Sequence, residues 1–459
     1  MSDTPPNEKI GVRLRAMSQA LEALSQALET GTLQKARRML NNLRPAEIAK
    51  LLESLPPVER EIIWELVEPE NDGEVLLHVG EEVRNHLIQD MDPEDLAMAS
   101  EHLDIDDLAD FVQSLPNTLI DPLLQSLDQQ HRERLESVLS YPEDSAGGMM
   151  DTDTITVRAA VTVDVVLRYL RRLGDLPSHT DKLIVVNRHN KYLGTLAINR
   201  LLTADPSSTV ADLMDPSTEA IPANLPATEV ASLFETHDLI SAPVVDENRV
   251  LLGRITIDDV VDVIREEADH SVLSMAGLAD EEDLFAPVLP SARRRAVWLG
   301  INLGTAFLAS WVVGQFEQTL EQIVAIAVLM NVVASMGGIA GSQTLTLVIR
   351  GITLGQVQPN NRMWLLNKEL LVGFLNGLMW ALVVAVIAVL WFQDINIGVV
   401  IAAATIINLL AAGLSGVAIP LILRRMKIDP AIAGSVILTT VTDVVGLFAF
   451  LGLATLFLL

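Results

Sequence analysis

Five stretches in the C-terminal part of the chain are too long and too apolar for a soluble domain. They cover 296–316, 322–349, 370–392, 398–423 and 431–459, and each reaches the ~20 residues a helix needs to cross a bilayer. Hydrocarbon offers no partner to a backbone N–H or C=O, so such segments must be helices that pair those groups internally. This confines that part of the chain to a five-helix membrane bundle, which cannot also hold most of the charge. Half of the residues are hydrophobic, yet the formal net charge is −28. The two properties are segregated: from Ser291 onward nine Lys/Arg face six Asp/Glu, which leaves 23 basic and 54 acidic residues in 1–290.

The flanking charges set the orientation. Arg293, Arg294 and Arg295 precede the first span, Arg350, Arg362 and Lys368 lie between the second and third, and Arg424, Arg425 and Lys427 between the fourth and fifth. The other two connections carry only acids, Glu317 and Glu321 in one and Asp394 in the other. All nine basic residues therefore fall on one side, which the positive-inside rule makes cytoplasmic. Residues 1–290 share that side, and an odd number of spans sends Leu459 outside. The expected location is a cell (inner) membrane, crossed several times. Residues 1–16 are polar and read as a disordered leader with no signal peptide. A region as acidic as 1–290 repels nucleic acid and gathers cations, although acidity alone can also serve solubility.

The spans carry polar groups. Gly373 with Gly377, and Ala411, Ala412, Ser415 and Gly416, form small-residue faces that suit close helix packing. The second span contains Gly337, Gly338, Gly341, Ser342 and Gln343; the glycines are expected to loosen the helix and bare carbonyls towards a wet cavity. In the fifth, Ser435, Thr439 and Asp443 recur every four residues and share a helix face. An intramembrane aspartate costs ~3 kcal/mol or more at a helix centre. No basic residue at matching depth can pair with it, so Asp443 is either protonated and hydrogen-bonded or the centre of a cation site completed by Ser435, Thr439 and Thr440. Hard divalent cations take oxygen ligands, and Mg²⁺ keeps several waters, which one carboxylate and some hydroxyls can hold.

The acidic part divides further. Residues 17–144 read as short amphipathic helices, among them 45–55, 59–67, 93–102 and 106–115, with Pro or Asp at their starts; they suggest a helical superhelix of stacked hairpins. Residues 145–256 alternate strands and helices and contain a repeat. Leu183-Ile184-Val185-Val186 with Tyr192-Leu193-Gly194 matches Ala242-Pro243-Val244-Val245 with Leu251-Leu252-Gly253 at an offset of 59. Met149-Met150-Asp151 matches Leu213-Met214-Asp215 at an offset of 64. This unit resembles a tandem pair of cystathionine-β-synthase (CBS) domains, a family that binds adenine nucleotides or metal ions. By that resemblance Gly253, Thr256 and Asp259 mark a nucleotide site for ATP or a related molecule, whereas the first copy has Gly194, Ala197 and Arg200. Residues 257–290 begin with an acidic amphipathic helix that leads to the spans at 291–459.

The order of parts is similar to that of the MgtE family of magnesium channels over nearly the whole chain. Met336-Gly337-Gly338 with Gly341-Ser342-Gln343-Thr344-Leu345-Thr346 resembles the family's second-span motif. Asp429-Pro430-Ala431 and Thr439-Thr440-Val441-Thr442-Asp443-Val444-Val445-Gly446 resemble its fifth-span signature. The resemblance implies a homodimer in which Asp443 of each copy faces a central pore and holds hydrated Mg²⁺, with Asp429 adding a site at the cytoplasmic mouth. It also implies closure when intracellular Mg²⁺ fills acidic sites, for which Asp238, Asp259, Asp262 and Glu267 occupy ligand positions. Asp106, Asp107 and Asp110 are the corresponding candidates in the helical domain, with Asp92 and Asp95 as rivals. The chain departs from the pattern: Ile339 stands for the usual Asn, Asn331 and Val436 for prolines, Ser435 for Asn or Gly, and His270 and Ser271 for two acids of the connecting helix. These changes predict an altered ion preference and weaker closure by Mg²⁺.

Two other functions fit parts of the pattern. One is an ion-coupled exchanger or exporter of Mg²⁺ or of a transition metal such as Co²⁺ or Ni²⁺; the absence of a relay of several acids across the bundle disfavours it. The other is a membrane-anchored CBS sensor, for which Asp443 has no use. No enzyme constellation occurs: the eight histidines are scattered, and with no cysteine in the chain thiolate metal sites, disulfides and thiol nucleophiles are excluded.

Overall fold

The computed structural model describes residues 33–89, 91–100, 103–115, 117–278 and 283–459, so the expected leader at 1–16 and the first part of the helical domain lie outside them. The chain forms two compact units, one of Met1–Ala268 with Glu281–Pro287, the other of Asp269–Asp280 with Val288–Leu459.

The first unit opens with α1 (Leu33–Leu40), α2 (Pro45–Glu53), α3 (Pro57–Trp64), α4 (Asp72–His78), α5 (Glu81–Ile88), α6 (Pro93–Ser100), α7 (Ile105–Ser114), α8 (Asn117–Ser126) and α9 (Gln129–Leu139). Proline begins α2 and α3, at the position where a helix has no use for the missing N–H. Glu47 closes the start of α2 by accepting from the Arg44 N–H at 3.0 Å. The helix stops at Glu53 rather than at 55 because Pro56 disfavours helical geometry in the residue before it. Helix α2 packs on α4, α4 on α6 and α6 on α8, the alternation of a stacked superhelix. Leu51, Leu52, Ile63, Leu76 and Phe111 are wholly buried between the layers.

Two three-stranded sheets follow. In the first, β1 (Thr156–Arg158) runs parallel to β2 (Lys182–Val186), which pairs antiparallel with β3 (Tyr192–Ala197). The second repeats this order with β4 (Ile221–Pro222), β5 (Ser241–Val245) and β6 (Leu251–Thr256). Helices α10 (Val163–Leu173), α11 (Ile198–Thr203), α12 (Val210–Leu213) and α13 (Ala227–His237) complete the repeats. The offset of 59 seen in the sequence is visible as contact: Lys182 Nζ donates to Ser241 O at 2.8 Å. Ile184, Val186, Tyr192, Val245 and Leu251 form the core between the sheets. Gly253 has no room for a side chain, since a methyl there would sit 2.6 Å from Asp151 O; Arg254 beside it is buried and ion-paired with Asp151 at 3.2 Å.

Helix α14 (Ile257–Met275) begins in this unit and ends in the other. Beyond it, Asp283 returns to the helical domain. Its carboxylate pairs with Arg60 at 2.8 Å, with side chains only 5% and 2% exposed. The same guanidinium donates to Leu52 O and Leu55 O, which satisfies most of its buried donors.

The second unit holds the five long apolar helices: α15 (Val288–Gly314), α17 (Val324–Thr353), α18 (Arg362–Phe392), α19 (Ile395–Arg425) and α20 (Pro430–Leu458), with the short α16 (Glu317–Gln322) between the first two. Helix α19 is the most enclosed and α15 the least. Asp394 and Asp429 cap the two last helices, each carboxylate accepting an N–H two residues ahead at 2.8 Å. One expectation changes here. Helix α17 runs unbroken through Gly337, Gly338 and Gly341, so these glycines do not bare carbonyls; Gly337 and Gly341 admit neighbouring helices instead.

Candidate ion path and acidic sensor

Residues three and four apart on α17 present one polar face. Ser335, Ser342, Gln343 and Thr346 from that face, with Thr439 and Asp443 from α20, line a groove of about 1230 Å³. Gly338 is its small-residue floor, and Asn331 and Ile339, two positions at which the chain departs from the family pattern, also line it. The groove is open along one flank, where Ile339 and Leu347 are 60% and 58% exposed. Thr439 Oγ1 donates to Ser435 O and Val436 O, both at 3.1 Å. With its proton turned to the backbone, its lone pairs remain free to face a cation. Asp443 is half-buried and makes no ion pair among the described residues.

Not every residue singled out in the spans is brought to the groove. Gly337 and Gly341 are buried at helix contacts: a methyl at Gly337 would meet Asn408 Nδ2 at 2.1 Å, and one at Gly341 would meet Leu438 at 3.0 Å. Their role is close approach of α19 and α20, because the groove face passes through 338 and 342, not through 337 and 341. Thr440 Oγ1 donates to Val436 O at 2.7 Å, and neither Thr440 nor Ser435 lines the groove. Asp429 is the N-cap of α20, and its second oxygen lies 2.5 Å from His270 Nε2 on α14. Ser274 is buried, and Met275 packs against the apolar cluster that includes Leu345, Ile349 and Leu438, with its sulfur 3.9 Å from the hydroxyl of Thr346. The end of α14 thus touches a groove residue.

The acids of the first unit converge at the start of α7 and of α14. Burial first, then Asp259, Asp107 and Asp151, hold the Asp106 carboxyl well above the usual range. Burial and the carboxylates of Asp104 and Asp258 push Asp107 up to about 7. Asp110, at the rim, is raised to about 7 by desolvation, then by Glu143 and Asp107, with the Arg84 guanidinium opposing. Asp259 reaches about 7 through burial and Asp258, although Thr256 donates to it from its N–H at 3.2 Å and its hydroxyl at 3.1 Å. Like charges in a poorly solvated place favour the neutral form, so the cluster is under electrostatic strain that a bound cation would relieve. Asp262 lies one turn beyond Asp258 and Asp259 on α14 and adds to the charge around Asp107. Glu267 is further along the same helix. Asp238 is exposed at the left-handed end of α13, with φ 51°. Asp95 belongs elsewhere, beside Asp72, whose carboxyl burial and Asp95 raise to about 6; Asp92 accepts from the Asp95 and Leu96 N–H groups at the start of α6. Among the described residues no group of three or more His, Asp or Glu side chains is placed to hold a metal ion.

Several participants escaped sequence reasoning. Asp104 and Asp258 stand beside the candidates in sequence, whereas Asp151 joins the cluster through tertiary approach, which no spacing announces. Glu369, a buried acid early in α18, accepts from Thr344 Oγ1 at 3.1 Å and pairs with Lys368 at 2.5 Å; its place among flanking charges hid it. Asn408, wholly buried in α19, lay unnoticed inside an apolar run, where a lone amide is the available signal.

Comparison with known proteins covers most of this architecture. Family models match an MgtE intracellular N domain at 43–144, a CBS domain at 210–266 and an MgtE divalent cation transporter at 330–453. The magnesium transporter MgtE of Thermus thermophilus is 31% identical over 444 residues, covering 95% of this chain and 98% of that protein. Its namesake from Bacillus subtilis is 27% identical over 431 residues, covering 94% and 96%. Among solved structures, the cytosolic domain of the Mg²⁺ channel MgtE in complex with ATP is similar at 32% identity and a TM-score of 0.49, covering 53% of this chain and 99% of that one.

Proposed function

The chain belongs to the MgtE family of magnesium transporters, and from that premise we propose that it is a dimeric, passive divalent-cation channel whose path is the groove between α17 and α20. The family and the five long apolar helices make it a multi-pass membrane protein. The observation that carries the proposal is the convergence of Asp443, Thr439, Ser342 and Gln343 on one groove. These are oxygen donors with no fixed cation among them, and their spread suits an ion that keeps part of its water shell. Mg²⁺ is the cargo. An open flank suits a half-channel that a second copy completes about a two-fold axis, bringing two Asp443 carboxylates to one path. The basic flanks of the spans support a cytoplasmic acidic unit and an external Leu459.

Closure by intracellular Mg²⁺ follows from the strained acids. With Asp106, Asp107, Asp110 and Asp259 unliganded, repulsion loosens the contact between α7 and α14; Mg²⁺ neutralises them and draws the two together. Asp262 and Glu267 continue this acidic face along α14, Asp238 supplies a further ligand from α13, and Asp429 supplies one at the mouth. An adenine nucleotide such as ATP at Gly253, Thr256 and Asp259 is the reading supported by that motif; both hydrogen bonds from Thr256 to Asp259 would compete with ribose. Flux measured in liposomes tests the path. Mg²⁺, Co²⁺, Ni²⁺ and Ca²⁺ are compared for wild type and Asp443→Ala, with loss of divalent flux expected in the variant. Unchanged flux would remove Asp443 from the path, and no flux in either protein would favour a membrane-anchored sensor.

A further inference from the structure

Behind the groove, α19 inserts one amide between the two helices that form it. Asn408 is 0% exposed, and its Nδ2 donates to Val333 O of α17 at 2.7 Å. A methyl on Gly337 would lie 2.1 Å from that nitrogen, and one on Gly446 of α20 would lie 2.5 Å from it. The amide therefore fills space left by two glycines, one on each groove helix. Gly337 immediately precedes Gly338 of the groove face, and Gly446 lies within one turn of Asp443. The orientation of the amide follows from its partner, since the reverse would set two carbonyl-type oxygens face to face.

The other end of this side chain is unsatisfied: Asn408 Oδ1 is buried with no hydrogen-bond partner among the described residues. Such an oxygen costs ~1–3 kcal/mol, which an apolar residue in the same space would avoid. Stability alone therefore does not explain an amide here. What the amide supplies is the bond from Nδ2, made to a carbonyl that already accepts the intrahelical N–H of Gly337. It is a tie between helices, and removing it breaks neither helix.

We infer that Asn408 is a positioning residue of the ion path: it fixes the separation and register of α17 against α20, and so the distance from Asp443 and Thr439 to Ser342 and Gln343. The inference rests on the groove being the path. Asn408 touches no ion; it acts through Val333, Gly337 and Gly446.

The test uses the full chain in liposomes and reads two quantities that do not change with the fraction of protein folded: the Mg²⁺ concentration giving half-maximal flux, and the Co²⁺ to Mg²⁺ flux ratio. Asn408→Ala is expected to raise half-saturation on the order of tenfold, the scale on which small displacements of ligands act, and to change the ratio. Gly337→Ala, which drives a methyl into the amide, is expected to do the same. The double variant restores volume without the bond and should remain shifted. If Asn408→Ala leaves both quantities at wild-type values, the inference is overturned; it is equally overturned if the double variant returns to wild type, because filler would then suffice. Should Asn408→Ala fail to fold, Gly446→Ala keeps the amide and crowds it from α20, with the same two outcomes. Asp443→Asn is run alongside: if it conducts normally, the groove reading fails by itself, whatever the Asn408 variants do.

Discussion

Neutralising one carboxyl of the acidic cluster should strengthen the first unit when Mg²⁺ is absent and weaken its response when Mg²⁺ is present. Asp107 is the choice, because burial and neighbouring acids raise it from 3.8 to about 7. A carboxyl whose folded pKa is raised binds its proton more tightly in the folded chain. Its contribution to stability is therefore greatest below about pH 4 and is lost as pH rises through about 7. A shift of about three units corresponds to at most ~4 kcal/mol at ~1.4 kcal/mol per unit. Partial solvation and screening reduce this to ~1–2 kcal/mol. Asp107→Asn removes the penalty permanently. In Mg²⁺-free buffer near pH 8 the first thermal transition of the full chain should rise by a few degrees, the shift that ~1–2 kcal/mol produces in a unit of this size. Near pH 5, where the folded carboxyl is largely protonated but the unfolded one is not, the gain should fall to about two fifths of its value at pH 8, and it should vanish only below about pH 4. Added Mg²⁺ should stabilise the wild type near pH 8 more than the variant, and more than the wild type near pH 5. A variant less stable than wild type without Mg²⁺ near pH 8, or an equal gain at both pH values, would refute the claim that these acids repel one another and that Mg²⁺ relieves the repulsion.

Other outcomes follow from single contacts. Ile339→Asn restores a polar side chain on the groove and should raise Mg²⁺ flux relative to Co²⁺ severalfold in the liposome assay; an unchanged ratio removes position 339 from selectivity. Asp283→Ala strands the buried Arg60 guanidinium and should destabilise the first unit by ~3–5 kcal/mol, whereas Arg60→Met with Asp283→Leu should come close to wild type in thermal unfolding. Glu369→Gln keeps an acceptor for Thr344 and should lower stability by ~1 kcal/mol or less with flux retained; loss of flux in a folded variant would place Glu369 in conduction.

Much of the architecture was legible because its signals are periodic or additive. Five apolar runs, basic residues confined to one flank, and a repeat offset of 59 that reappears as the Lys182 to Ser241 contact all survive averaging over many residues. Asp443 and Thr439 were legible as polar groups four apart on an apolar helix. Gly337 and Gly341 were not read correctly, since one residue of rotation, about 100°, separates a groove face from a packing face, and composition cannot tell which face a neighbour will take. Asn408 and Glu369 were missed for a related reason: their partners, Val333 and Thr344, lie on another helix. The acidic cluster was half legible. The acids of α7 and α14 were candidates, with Asp104 and Asp258 as their sequence neighbours, but Asp151 joined them only through the approach of a distant segment.

The two oxygens of Asp429 are both in use, one by the Ala431 N–H and the other by His270. The first cannot be surrendered without fraying the start of α20, so a visiting cation has only the second to take. Ion and imidazole then compete for that oxygen. On the proposed ion path the mouth would be an exchange point: a cation arriving at Asp429 would weaken its hold on His270, and with it the hold on the end of α14.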